Sequence, residues 1–442
     1  AALSDGSGTT SIGLAGWSLL VILALVPAVL SPGQIGWAHP AVVTGMFTVL
    51  DCLRLLPLLF LGLPFHVALP GEVPEELTRL LSLQLILSAL ALAAYLLGMA
   101  LAPPLARYRL PGRWVAKTSI ASLALRVIFL SAAGSILMIF LRGGWRAHLV
   151  SLGFGRATSL AGDFYAVAAL SVGTVAWLLW FASDPAATRR PSFWVGAVAS
   201  IPIPYLLSGS RSSLVAPLIV AGIIHAARGG RVMVRLVMAA GVVVVFMLGA
   251  LAAVRESVWR GTDSDASVLA NVDGTSAIRA LQEITSRSGE SSAILPILAR
   301  VPGDVPPLYG QSYLALMGIA VPRSFWPGKP RSVDGRVGET FFGVGFGIPP
   351  GGLGESFWNW GLAGVIVAFM ALGVIHRWAA NLVIASGHSP PVLTAYGFTL
   401  WLLRTPGSPS VVNWAIAVVP LIAVALLAGR RIPSPGGGPP DA

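Results

Sequence analysis

The chain has 442 residues, of which 55% are apolar and only 11% charged, against about 25% charged in an ordinary soluble domain. A globule keeps a polar exterior and cannot hide that much apolar surface, so the composition excludes a water-soluble fold and calls for lipid. The net charge of +11 does not require nucleic acid as a partner, because Lys and Arg gather in cytoplasmic loops of membrane proteins and set their orientation.

Several uncharged stretches of about 20 residues are long enough to cross a ~30 Å hydrocarbon core as helices. The short alternating segments of a membrane β-barrel are missing. The fold class expected is therefore an all-α polytopic membrane protein with about eleven transmembrane helices and one large external helical loop. Hydropathy predicts spans at 14–30, 41–62, 80–101, 118–140, 164–182, 192–207, 213–227, 235–254, 358–376, 391–403 and 411–428. Leu14–Leu30 has no positive flank before it, which makes it a poor signal peptide and the first span. The spans at 192–207, 213–227 and 391–403 are short, so each is open to a re-entrant or tilted reading.

Basic loops give the orientation. Arg107, Arg109, Arg113 and Lys117 lie in one loop, Arg189 and Arg190 in a second, Arg228, Arg231 and Arg235 in a third, with Arg430 and Arg431 near the end. Alternating spans put all four on one side, which the positive-inside rule makes cytoplasmic. Arg142, Arg146 and Arg156 fall on the opposite side and dissent. The expected organisation is a bundle of about eight spans over 1–254, an external loop subdomain over 255–357, C-terminal helices over 358–428 and an irregular cytoplasmic tail over 429–442, rich in Pro and Gly.

Chemistry-bearing residues come next. Cys52 is alone and cannot form an intramolecular disulfide. The histidines are scattered without HExxH or CxxC spacing, so neither a metal nor a cofactor is expected. Ser208-Gly209-Ser210-Arg211-Ser212-Ser213 is a turn of small residues around one Arg. It offers a phosphate guanidinium and hydroxyl donors, or else is a plain turn whose Arg snorkels to the interface. Val321 to Pro330 (VPRSFWPGKP) joins stiffening prolines, two aromatics and the cations Arg323 and Lys329. Trp326 there suits the face of a sugar, or the segment is an interfacial belt touching anionic lipid. Gly351 to Gly361 (GGLGESFWNWG) brings Glu355 to the outer end of a membrane helix, where a carboxylate is costly and commonly functional. The alternative is a charge answering the helix dipole, with Ser356 or Asn359 as cap. Glu339 is a second carboxylate in the same loop. Asp51 with Arg54 in the second span, plus Arg126 in the fourth, reads equally as a functional group or a structural ion pair.

The segments SGSRSSLVAPLI, VPRSFWPGKP and PPGGLGESFWNWGLAGVIVAFMALG, in this order, resemble the bacterial oligosaccharide repeat-unit polymerases, the O-antigen polymerase (Wzy-type) family. The resemblance covers about residues 205–375; the first 200 residues match only in hydropathy. It implies a fold like the class C membrane glycosyltransferases. It also implies an inverting, metal-independent enzyme of the bacterial plasma membrane that joins polyprenyl-pyrophosphate-linked oligosaccharides outside the cytoplasm. Its partners would be that lipid-linked oligosaccharide, the bilayer and a chain-length regulator protein. On this reading Arg211, Ser210, Arg323 and Lys329 hold pyrophosphate, Trp326 meets sugar, and Glu355, or else Glu339, is the general base. An O-antigen ligase-like transferase and a lipid-linked oligosaccharide flippase are the competing readings.

Overall fold

Runs of Leu, Ala, Val and Ile leave the backbone as the main polar group to satisfy, and a helix satisfies it internally. The computed structural model describes residues 6–30, 35–53, 55, 74–103, 113–116, 119–145, 147–148, 164–208, 211–230, 289–318, 321, 325–326, 328, 330–345 and 347–432. Its helices are α1 (Gly6–Leu30), α2 (Pro40–Leu53), α3 (Pro74–Leu101), α4 (Ile120–Leu141), α5 (Phe164–Leu170), α6 (Val172–Ser183), α7 (Pro191–Ser200), α8 (Pro202–Ser208) and α9 (Arg211–Ala227). They continue with α10 (Gly289–Arg300), the single turn α11 (Gln311–Leu314), α12 (Val333–Phe342), α13 (Gly351–Ala385), α14 (Pro390–Leu402) and α15 (Ser408–Ala428). The expected span 235–254 and residues 255–288 of the loop lie outside the described residues.

Among the described residues, six helical stretches are long and apolar enough to cross a membrane: Glu76–Leu101, Ile120–Leu141, Ala166–Ser183, Pro191–Ser208, Gly351–Ala385 and Ser408–Ala428. Ser11–Pro27, Pro40–Leu53 and Ser213–Ala227 are shorter apolar helices. Side chains such as Leu130 at 76% and Leu141 at 78% exposure stand on the outside of α4. In water such a surface would drive association, whereas lipid covers it. The architecture is that of a helical integral membrane protein.

Two departures from the sequence reading stand out. The expected tail at 429–442 opens as a strand: β2 (Gly429–Ile432) pairs antiparallel with β1 (Arg113–Ala116), Trp114 facing Arg431. Hydropathy has no signal for so short a ribbon, because pairing is decided by a partner more than 300 residues away. The second departure is the span expected at 358–376, which belongs to a helix running from Gly351 to Ala385 and broken inside.

The chain forms two compact units, each discontinuous in sequence. The first comprises Ala1–Pro104, Thr285–Ala380 and Leu402–Trp414; the second comprises Leu105–Ile284, Asn381–Trp401 and Ala415–Ala442. In the first, α1 lies along α3, and Leu85, Leu92, Tyr95, Ile294, Val365 and Phe369 share one apolar core. A second core gathers Ile297, Val301, Val305, Val337 and Phe341 around Trp358. The described part of the large loop is therefore packed on the start of α13. In the second unit α4 packs on α6, and Trp177, Trp180 and Phe193 form an aromatic cluster.

Candidate functional site

The site begins with a defect in a helix. Within α13, Trp360 has φ −144° and ψ 24°, and Gly361 has φ 60° and ψ −141°. Only glycine adopts the second conformation readily, so the Trp-Gly pair writes the break into the sequence. A broken helix leaves carbonyls without partners one turn on, and at membrane depth such groups must be satisfied by protein. The Trp358 carbonyl accepts the Leu308 N–H at 2.9 Å, and the Asn359 carbonyl accepts the Tyr309 N–H at 3.2 Å. The loop before α11 is thereby stitched to the break.

Glu355 sits one turn before the break and is 0% exposed. The Ser408 backbone N–H donates to its Oε2 at 2.7 Å, and the Ser408 hydroxyl donates to Oε1. The Ser312 hydroxyl also donates to the carboxylate. Asn359 supports the arrangement from one turn further along: its Nδ2 donates to Ser312 Oγ at 2.7 Å and to the Glu355 carbonyl at 2.8 Å, while its Oδ1 accepts the Gly310 N–H at 2.8 Å. Ser408, through its N–H and its hydroxyl, and Ser312 present hydrogens to the carboxylate, and Asn359 holds Ser312 and the Glu355 backbone in place. A buried carboxylate answered this fully is what makes its burial tolerable.

Close backbone approach makes the fit. A Cβ on Gly352 would lie 2.7 Å from Thr405 Cβ and 2.8 Å from the Pro406 nitrogen. The segment before α15 therefore rests directly on the first turn of α13 and delivers Ser408 to Glu355. On the other flank Ser356 Oγ donates to the Gly352 carbonyl and meets the Tyr313 hydroxyl at 3.1 Å. Burial pushes the Tyr313 phenol up to about 12, with the Ser356 hydrogen bond opposing that shift.

No protein-family model, curated protein or solved structure matches the chain. The chemistry of the site is thus the guide to its use.

Of the residues singled out from sequence, Glu355, Ser356 and Asn359 come together. Glu339 does not join them in any hydrogen bond described; it lies on the exposed side of α12, paired with Arg331. Trp326 is 44% exposed and covers Gly318, whose added Cβ would lie 2.8 Å from the indole. Ser210, Arg323 and Lys329 lie outside the described residues, as does the Arg211 side chain, although Arg211 opens α9. Asp51 and Arg126 are exposed on α2 and α4, and Arg54 lies outside the described residues.

Sequence reasoning missed Ser312 and Ser408. Ser408 carries a local signal, a serine with proline next to it at the start of an apolar run, which reads as a helix cap. Nothing local says that its partner is a carboxylate 53 residues earlier. Among the described residues no group of three or more His, Cys, Asp or Glu side chains is disposed to hold a metal ion.

Proposed function

We propose that this protein is a membrane glycosyltransferase that polymerises polyprenyl-pyrophosphate-linked oligosaccharide repeat units into a surface polysaccharide. One observation carries the reading: a buried carboxylate, Glu355, set in two serine hydroxyls and a backbone N–H on the half-helix where the Gly-Glu…Asn-Trp-Gly motif falls. A purely structural carboxylate in so apolar a chain would cost stability without return. A general base for an acceptor hydroxyl answers that cost.

The chemistry runs as an inverting displacement. The acceptor hydroxyl attacks the anomeric carbon as the bond to pyrophosphate breaks, and its proton passes through the Ser408 hydroxyl to Glu355. Charge developing on the pyrophosphate is met by guanidinium and ammonium groups, for which Arg211, Arg323 and Lys329 are the candidates, Ser210 assisting. The enzyme sits in the bacterial plasma membrane with this face outside the cytoplasm.

The test incubates purified protein with a lipid-linked repeat unit. A ladder of products supports polymerase, a single transfer to a different acceptor supports the ligase reading, and no product sinks both.

A further inference from the structure

We infer that Tyr309 and Trp360 form a stacking shelf for a pyranose ring of the oligosaccharide, with Gln311 and Arg336 as its polar rim. The inference rests on the glycosyltransferase reading and adds to it a place where sugar is held.

Both rings are unusually open for aromatic residues beside a buried polar network: Tyr309 is 70% exposed and Trp360 46%. The Tyr309 backbone and the Trp360 ring are both held by their neighbours. Tyr309 has φ 47°, a left-handed conformation that a bulky side chain rarely adopts, and its N–H is fixed to the Asn359 carbonyl. Strain of this kind persists where surrounding structure imposes it, and it gathers at ligand sites. Trp360 stacks on Tyr313 with ring centroids 5.7 Å apart and planes at 16°. Its indole also leaves no room for a Cβ on Gly310, which would lie 2.7 Å away. The two aromatics thus meet at the helix break on Asn359, which Trp360 follows in the chain and whose carbonyl holds the Tyr309 N–H.

The rim decides the kind of occupant. Arg336 donates to Gln311 Oε1 at 2.9 Å, which aligns the Gln311 amide and leaves other N–H donors on both side chains. An aromatic face beside an aligned amide and a guanidinium matches a sugar ring, which offers C–H bonds on one face and hydroxyls around its edge. Lipid chains would use the rings and have no use for the rim. Trp360 follows Asn359 directly, so a ring on the shelf lies next to the Glu355 network.

The experiment uses full-length protein in nanodiscs and an array of bacterial glycans. Wild-type protein should bind at least one pyranose-containing glycan. Trp360→Ala and Tyr309→Gly should each weaken that binding roughly 5- to 30-fold, the usual effect of removing an aromatic anchor. Tyr309→Gly should at the same time keep or raise the melting temperature, since glycine suits φ 47°. Gln311→Ala, an exposed change that leaves the core intact, should weaken binding less. Wild-type protein that binds no arrayed glycan overturns the shelf, and so does Tyr309→Gly binding as tightly as wild type. Glycan binding through the shelf without any product ladder leaves the shelf standing and sinks the polymerase reading.

Discussion

Ser408 gives both its backbone N–H and its hydroxyl to the carboxylate of Glu355. One serine at the start of α15 therefore answers most of the hydrogen-bonding demand of a buried charge on α13. Three hydroxyls, those of Ser312, Ser356 and Ser408, line the same short piece of helix.

The pair predicts a separation of effects. Glu355→Gln keeps shape but cannot take a proton, and turnover should fall about 10²- to 10⁴-fold. Its amide would also face the Ser408 N–H with a donor in one orientation, so some loss of melting temperature accompanies it. Ser408→Ala removes one donor and should cost roughly 1–3 kcal/mol of stability together with most of the turnover. Product formation and thermal melts on the same preparations measure both. Full turnover in Glu355→Gln would return this carboxylate to a structural role.

Glu339 provides the contrast. It is exposed and paired with Arg331 at the surface, a type of ion pair worth about 0–1 kcal/mol. Glu339→Gln should leave both melting temperature and turnover close to wild type. Loss of turnover there, with Glu355→Gln active, would transfer the base to Glu339.

Alkaline titration reports on Tyr313. Its phenol is raised by burial to about 12 from an ordinary value near 10. A raised folded value means that the stabilising contribution is fully present below about pH 10 and is lost as pH climbs through about 12. Stability of wild type should decline across that window more steeply than that of Tyr313→Phe. Ultraviolet difference spectra of the two proteins should show one tyrosine ionising late.

The crossing of α3 and α13 gives a packing test. A Cβ on Gly98 would lie 2.1 Å from the Met370 carbonyl oxygen, and one on Gly373 would lie 2.1 Å from that of Tyr95. Backbone cannot yield as a side-chain tip does, so Gly98→Ala and Gly373→Ala should each destabilise by roughly 1–3 kcal/mol or more. Gly222 on α9 has nothing within 4 Å of such a Cβ, so Gly222→Ala should be neutral or gain about 0.5–1 kcal/mol. Thermal melts in one detergent compare the three.

The arginine candidates answer to turnover. Arg211→Ala and Arg323→Ala should each reduce it roughly 10- to 150-fold, the worth of a charged hydrogen bond lost, and Arg211→Lys should restore part. Activity should survive EDTA. Restoration by a divalent cation after chelation would show that metal chemistry had been missed.

Sequence alone determined the helical membrane class, because hydropathy sums over neighbours in the chain and helical hydrogen bonds close within four residues. It marked both ends of α4 and α15 and the C-terminal end of α3 within a few residues, missing the start of α3 by six, and it pointed to Glu355 because a carboxylate entering an apolar helix is conspicuous. Tertiary structure alone decided that Glu355 is sealed by Ser312 and Ser408 and that Glu339 is turned to the surface. It also decided that the span expected from residue 358 begins at Gly351 and breaks at Trp360, and that Gly429–Ile432 is a strand. The physical reason is the same throughout. Burial, hydrogen-bond partners and strand pairing are set by segments distant in the chain, and no local sum of side-chain preference contains them.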